Sequence, residues 1–572
     1  MTRPIRLAIL SVLLAGALAV AAVPSLLPPP AASTPAPHWR QEPPTVRGVY
    51  HVHSVRSDGT GTPEEIAVAA ARDGLQFVIM TDHGDAMRTP DPPRYVSGVL
   101  VIDAVEVSTN GGHLVVLGGR PSPFPLAGEP SAVLEDAHRL GGIGIAAHPG
   151  SPRASLQWSD WDAPVDGLEW LNADSEWRDE LFASLGRLML TYWLRPAETL
   201  TASLDRPATV LGRWDALTST RRVVGIAGSD AHARLGFRQQ TEPYQEGRHV
   251  PLPSYQSSFD AFGIRVQLDA PLSGDASRDA AQLLDRIRWG RVFTVIDGLA
   301  TPGDFEFTAT SGSHSVRMGE YLDIGGEVKL HLKMAAPADT RMVLLRNGEI
   351  LFDTRDRELH VGVLPEPAVY RVEIYVPGGE GQPPIPWLVS NPIYIGMRER
   401  HDAAARPADA AGVARKSAIA TDAWAAESSP GSASALRPGV IVNGIAAIEW
   451  TYTLAGGSPS SQYAALRFPV DGLSGHDRVQ LRGRAPQPTR VWVQVRASAL
   501  GGGERWGKSI YLDDAFRGVE VLFRDLRPVG YTSRPSPPLE QIDVILLVVD
   551  TVNTRPGSSG AVQLADLWLA GQ

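Results

Sequence analysis

The chain of 572 residues contains no cysteine. That excludes disulfides, thiolate metal sites, a cysteine nucleophile and a lipid-modified anchor cysteine. Basic residues are also in deficit: 53 lysines and arginines stand against 63 acids, a net charge of −10. Binders of long nucleic-acid polymers usually show a basic face, so that class of partner is set aside. There is no Walker loop and no dinucleotide fingerprint, and neither Ser54 nor Ser57 sits in a nucleophile elbow.

What is present begins with Arg3 and Arg6 ahead of an apolar run from Leu7 to Val23, with Ala17-Leu18-Ala19 and Ala19-Val20-Ala21 as small-residue cleavage candidates. The run approaches the ~20 residues that span a bilayer. Residues 1–27 therefore read as a cleaved signal peptide or an uncleaved membrane anchor, and in both cases the body is exported, periplasmic or extracellular. A proline-rich tether follows over residues 28–46. Hydrophobic content of 43% and charged content of 20% are ordinary for globular protein. The length predicts two to four domains.

From residue 47 to 300, short apolar runs alternate with helical stretches. Gly48-Val49-Tyr50 leads into His51, and Thr62, Pro63 and Glu64-Glu65 open a helix. Phe77 to Met80 and Ile143 to Ala147 read as buried strands. This alternation predicts parallel strands joined by crossover helices. Polar residues cluster where the runs stop. In Tyr50-His51-Val52-His53, the two-residue strand repeat puts both imidazoles on one face, half of a metal site. Thr81-Asp82-His83, Glu106, Gly112-His113-Leu114, Ala147-His148-Pro149 and Ser229-Asp230-Ala231-His232 recur in the same setting. Imidazole and carboxylate without sulfur suit Zn²⁺, Mn²⁺ or Fe²⁺.

The ordered set HxHSxxSDG, TDHG, a lone Glu, GGHLVVLG, AHPG and GSDAH resembles the PHP (polymerase and histidinol phosphatase) superfamily of metal-dependent phosphoesterases. The resemblance covers residues 47–300 and implies an α/β fold, a distorted (β/α)7 barrel. It also implies two or three divalent ions. His51, His53, Glu106 and Asp230 would hold the first, and Glu106 would bridge to a second held by His113 and His148. Asp58, His83 and His232 would hold a third; some relatives carry histidine where Asp58 stands. Glu106, Asp230 and His232 would stand at the chemistry, and Asp82 would fix the ring of His83. Arg234 is a candidate for binding a substrate anion or, equally, a solvated loop residue. The implied reaction is hydrolysis of a small-molecule ester by metal-activated water. A phosphoester is favoured; a carbamate or carboxyl ester is the alternative, since secreted relatives resembling carbaryl hydrolase act on carbamates. A non-enzymatic carbohydrate-binding or scaffold protein with a structural metal is the third reading. The full ligand set counts against it, because a structural site needs one closed shell.

After residue 301 the texture changes. Val328 to Leu332 alternates, Asn347-Gly348 marks a turn, and residues 301–397 read as an Ig-like β-sandwich. Residues 398–438 read as linker, and 439–572 as a second β-sandwich that loosely resembles jelly-roll, galactose-binding-like modules. Trp450, Trp492, Trp506 and Trp568 could stack on sugars, although core packing is the commoner use of such indoles. His38 lies in the tether, His138 falls on a helix surface, and His249, His314, His331, His360, His401 and His476 lack partners at ligand spacing.

Overall fold

The computed structural model describes residues 26–35, 44–179, 182–236, 249–301, 303–378, 384–398, 415–418, 424–457, 462–500 and 502–571. The export segment expected over residues 1–27 lies almost wholly outside the described residues. Among those described, no helix is long and apolar enough to cross a membrane.

Strand β1 (Thr45–Tyr50) runs parallel to β2 (Phe77–Met80), and β2 parallel to β3 (Val99–Asp103). Helix α1 (Pro63–Arg72) links the first two. It starts as the sequence predicts: Thr62 and Glu65 form a capping box, with Pro63 in the first turn. β4 (Val105–Thr109) and β5 (Gly112–Leu117) follow, then α2 (Pro130–Arg139), β6 (Ile143–Ala146), β7 (Gly167–Asn172), α3 (Ala173–Asp179) and β8 (Val224–Gly228). These make a five-stranded sheet in the order β8-β7-β6-β5-β4.

Parallel pairing holds for β6, β7 and β8 but fails at β4 and β5, which pair antiparallel. Only Asn110 and Gly111 separate those strands, whereas a parallel crossover needs about a dozen residues. β9 (Gly263–Gln267) is likewise antiparallel to β1. The fold is mixed α/β, as expected, but these strands form two sheets, and the expected distorted seven-stranded barrel is not shown. The two sheets meet at two isolated parallel bridges, His83 with Glu106 and Val52 with Ala231. Both seams lie where the polar motifs interrupt the apolar strands.

The boundary expected at residue 300 is not a physical break. β10 (Val292–Val295) pairs with β9 on one side and with a strand at residues 388–390 on the other, so one 12-stranded sheet passes from the first body into the second. β11 (Phe305–Ser311), β12 (Val328–Met334) and β13 (Glu358–Val363) belong to a four-stranded sheet packed against it. The shared core joins Phe293 and Val295 of β10 to Phe305, Leu330 and Trp387.

Ion pairs reinforce the junction. Arg371 donates to Asp215 at 2.6 and 2.8 Å, and Arg206 donates to both oxygens of Glu373 at 2.7 and 2.9 Å. Burial disfavours a charged Glu373, but Arg206 and Arg371 outweigh it and hold the carboxyl at about 2, against an ordinary 4.5. Because the folded value is depressed, this stabilisation is complete above 4.5 and is lost as pH falls toward 2. Glu373→Gln should therefore flatten that part of the acid limb in unfolding midpoints measured against pH. An acid slope equal to the wild type's would show that the pair contributes no such linkage.

The third body is a sandwich of two six-stranded sheets. It corrects the expected linker over 398–438: Ala425–Ser428 and Ala433–Val442 are strands of these sheets, and Arg415–Ala418 pairs with Ser559–Ala570. Residues 399–414 and 419–423 lie outside the described residues. Trp450 and Trp506 are fully buried in the core, Trp492 is buried on the face turned toward the first body, and Trp568 is half-buried. Three of the four indoles therefore offer no free stacking face.

This body is docked rather than tethered. The Arg490 guanidinium, 1% exposed, donates to Asp136 at 2.8 Å through two nitrogens, to Glu135 at 2.7 Å and to the Ala132 carbonyl at 3.0 Å. Ser509 N–H donates to Glu129 at 2.6 Å, and the Asn553 amide donates to the carbonyls of Pro125 and Ala127. Removing one partner of a buried pair strands the other charge. Arg490→Ala should cost about 3–5 kcal/mol in chemical unfolding of the full chain. A change below about 0.5 kcal/mol, the size of a surface effect, would mean that this contact is solvated.

Candidate metal centre

The strands stop where the ligands begin. His51 directly follows β1, His148 lies two residues past β6, and Asp230 two past β8. All three have left-handed backbone, with φ of 65°, 32° and 47°. Such positions cost a non-glycine residue of order 1–3 kcal/mol each and survive only where the surroundings impose them. Here they turn three side chains into one space between the two sheets.

Glu106, on β4 and 1% exposed, lies at the middle of that space. Its two oxygens face different histidines. Oε1 is 2.8 Å from His113 Nδ1 and 2.9 Å from His148 Nε2. Oε2 is 3.3 Å from His51 Nε2, 3.3 Å from His53 Nε2 and 3.1 Å from His83 Nδ1. Asp230 Oδ1 is 3.4 and 3.3 Å from the same nitrogens of His51 and His53. Farther out, Asp58 Oδ1 is 3.3 Å from His232 Nε2, and Asp58 Oδ2 is 3.8 Å from His83 Nε2. All nine residues singled out in the sequence are thus brought together, in overlapping groups of three and four. His83, expected beside Asp58 and His232 alone, also faces Glu106. His53 reaches both groups.

The donor set fits divalent ions. Bonds of about 2.1 Å in tetrahedral or octahedral arrangement place neighbouring ligand atoms about 3.0–3.4 Å apart. Most separations around Glu106 fall close to that range, including 3.1 Å between His51 Nε2 and His53 Nε2. Glu106 Oε2 and Asp58 Oδ1 are buried without a hydrogen bond, which is costly for a carboxylate unless a cation meets it.

A surrounding layer fixes the rings. The carbonyls of Leu156 and Asp230 can only accept, so His148 and His232 donate their Nδ1–H groups there, at 3.1 and 2.8 Å, and turn Nε2 inward. His51 Nδ1 is 2.5 Å from Glu169 Oε1, and Glu169 Oε2 also accepts from His148 N–H at 2.7 Å and Asn172 at 2.8 Å. A Cβ at Gly228 would lie 2.3 Å from Glu169 Oε1, so the neighbouring strand needs glycine to admit this carboxylate.

Asp82 does not fix His83 as expected. It accepts from Ser54 N–H and from the hydroxyls of Ser54 and Ser57, each at 2.7 Å, and Ser57 Oγ is 3.3 Å from His53 Nδ1. Asp82 therefore acts on His53, through Ser57. Tyr255 closes the same loop by donating to the His53 carbonyl at 2.8 Å.

Glu169 and Tyr255 were missed in the sequence. Glu169 had a signal: it is the one acid in the otherwise apolar stretch Leu168 to Leu171. Tyr255 had none. Arg234 donates to the Asp58 carbonyl at 3.2 Å, and so supports the loop that carries that ligand.

The electrostatics follow from burial and mutual pairing. Burial works against charge on His53, but Asp230, Glu106 and Asp58 raise it to about 10. Burial, with the like charges of His53 and His113, lowers His83 to about 4 despite Glu106 and Asp58. Burial likewise opposes charge on Glu106, yet its histidines hold it well below the usual carboxylate range.

No family profile matches the chain, and no curated protein does. Solved structures are similar to parts of it. A two-domain protein from Bacteroides vulgatus containing a predicted PHP-like metal-dependent phosphoesterase is 13% identical, covering 64% of this chain and 99% of its own, with a TM-score of 0.30. A candidate metal-dependent phosphoesterase from Bifidobacterium adolescentis is 15% identical over 39% of this chain and 93% of its own, with a TM-score of 0.23. A family 11 carbohydrate-binding module from Clostridium thermocellum is 17% identical over 26% of this chain and 89% of its own, with a TM-score of 0.22.

Glu169→Gln keeps the shape of the side chain but weakens its hold on His51. It should lower metal affinity about 10–100-fold, the usual effect of losing such an outer partner, with an unchanged circular-dichroism spectrum. Equal affinity in titrations of ion-stripped wild type and variant would show that His51 is oriented by something else.

Proposed function

We propose that the protein is an exported metal-dependent phosphoesterase that hydrolyses small phosphoesters. The observation that carries this reading is the double use of Glu106: each carboxylate oxygen faces its own set of imidazoles. A single structural ion would need one closed shell; a shared carboxylate suits ions held close together.

His51, His53, Asp230 and Glu106 Oε2 would hold one ion, and Glu106 Oε1 with His113 and His148 another. His232, Asp58 and His83 would hold a third. Zn²⁺, Mn²⁺ and Fe²⁺ suit these donors. Bound there, such ions supply Lewis acidity toward a phosphoryl oxygen and bring the pKa of water toward neutrality.

The chain's own residues set direction and access. The side chains of His51, His53, Glu106 and Asp230 are 0–6% exposed, whereas Asp58, His83, His113 and His232 are 13–19% exposed. Substrate therefore approaches over the second group. A cavity of about 410 Å³ opens beside His83 and Asp82. Its Arg56 and Arg88 are committed to Asp91 and Asp103, which leaves them poorly suited to hold the reacting phosphate.

Arg178, on α3, feels the charges of Asp230 and Asp58, but it too is paired, with Asp174. Export rests on the segment over residues 1–27.

The metal-loaded full chain should hydrolyse p-nitrophenyl phosphate or its bis ester. Chelation should abolish the reaction and added ion restore it, and His51→Ala or Asp230→Ala should reduce it to the chelated level. Efficient turnover of an aryl N-methylcarbamate by a preparation inert to both phosphoesters would replace the proposal with the carbamate reading.

A further inference from the structure

A second convergence of ligand atoms lies on the outer face of the middle sandwich, built entirely by strand pairing. The antiparallel register sets His331 on β12 directly opposite His360 on β13. Glu358 precedes His360 by two residues on the same strand and so shares its face. The imidazoles stack with centroids 4.1 Å apart and planes 11° from parallel. Both turn Nε2 to one carboxylate oxygen, at 2.9 Å for His331 and 3.3 Å for His360. Side-chain exposure is 32% for His331, 47% for Glu358 and 70% for His360, so neither solvent nor an ion is excluded.

Core packing does not explain the arrangement, since all three side chains point away from the sandwich interior. Hydrogen bonding explains it poorly: two ring donors crowd one oxygen where water would serve each ring as well. A cation among the three groups would use both lone pairs and the carboxylate at once.

We propose that His331, Glu358 and His360 form a surface site for a borderline divalent transition ion of the Zn²⁺, Ni²⁺ or Cu²⁺ class, pinning β13 to β12. Two imidazoles and one carboxylate select such ions over Ca²⁺ or Mg²⁺, which prefer oxygen. Among the described residues β13 is an edge strand of its sheet and pairs with β12 alone, so a cross-strand ion would hold a strand supported by backbone bonds on one side. Lys333 stands opposite Glu358 in the register and competes for the carboxylate. The imidazoles must therefore supply much of the affinity. The site shares no residue with the centre around Glu106 and stands whether or not that centre hydrolyses phosphoesters.

The test compares the full-length wild type with a His331→Ala, His360→Ala double variant and with Glu358→Gln. In equilibrium dialysis against Zn²⁺ with elemental analysis, the wild type should hold about one equivalent more than the double variant. Phosphoester hydrolysis should be equal in the two. With the Glu106 centre filled by Zn²⁺, added Cu²⁺ should give an electron paramagnetic resonance spectrum with nitrogen hyperfine structure. That signal should vanish in the double variant and weaken in Glu358→Gln. Equal ion counts in wild type and double variant, or a nitrogen-coupled signal that survives the double substitution, would overturn the proposal.

Discussion

The first body is arranged around one buried carboxylate. Removing Glu106 from water is costly, and Oε2 recovers none of the cost through a hydrogen bond. Positive charge must therefore reach it from imidazoles, from ions or from both. The seam bridge between His83 and Glu106, the left-handed backbone at His51, His148 and Asp230, and the glycine opposite Glu169 all serve that end. None of them would help an apolar core. The opening between the sheets is the space in which these side chains meet, and a continuous ladder there would leave no room for them.

Rigidity at the site is supplied from a distance. Glu106 and His113 sit on the two arms of the β4–β5 hairpin. A Cβ at Gly111, in its tip, would lie 2.6 Å from Pro130 Cγ, so the tip is seated directly on the first turn of α2. The same helix is gripped by the third body through Arg490, while Glu129, just before it, accepts from Ser509. The distal sandwich thus bears on the hairpin that carries two ligands, and a freely tethered module could not. That physical chain gives the third body a role in the site even though three of its candidate stacking indoles are buried.

How much was legible depended on whether the determinants were local in sequence. The ligands were legible because each follows, precedes or closes a short apolar run, so its neighbours announce the strand and one of its ends. The α1 start was legible for the same reason. The hairpin at Asn110 and Gly111 was overlooked although its length alone forbids a parallel crossover. Glu169 was obscured because a strand buried on both faces reads as uniformly apolar, and one acid looks like an interruption. The shared sheet across residue 300, the docking through Arg490 and the pairing of His331 with His360 were not legible at all. Each depends on which strand or helix lies beside which. Spacing along the chain says nothing of a partner 29 residues away that a register brings face to face.

Charge decides what the centre can attract. The chain as a whole is acidic, at −10, and without ions the carboxylates of Glu106, Asp230 and Asp58 are matched chiefly by their own histidines. An anionic substrate would find little attraction there. Three ligand carboxylates cancel most of the charge of two divalent ions, whereas a third ion would leave a clear positive excess among the more exposed ligands. That Asp58 offers an oxygen rather than an imidazole matters for that reason. An oxygen there adds negative charge to the outermost group, so an ion held there would govern whether the rim repels or recruits an anion. Arg178 bears on the same balance from the protein side.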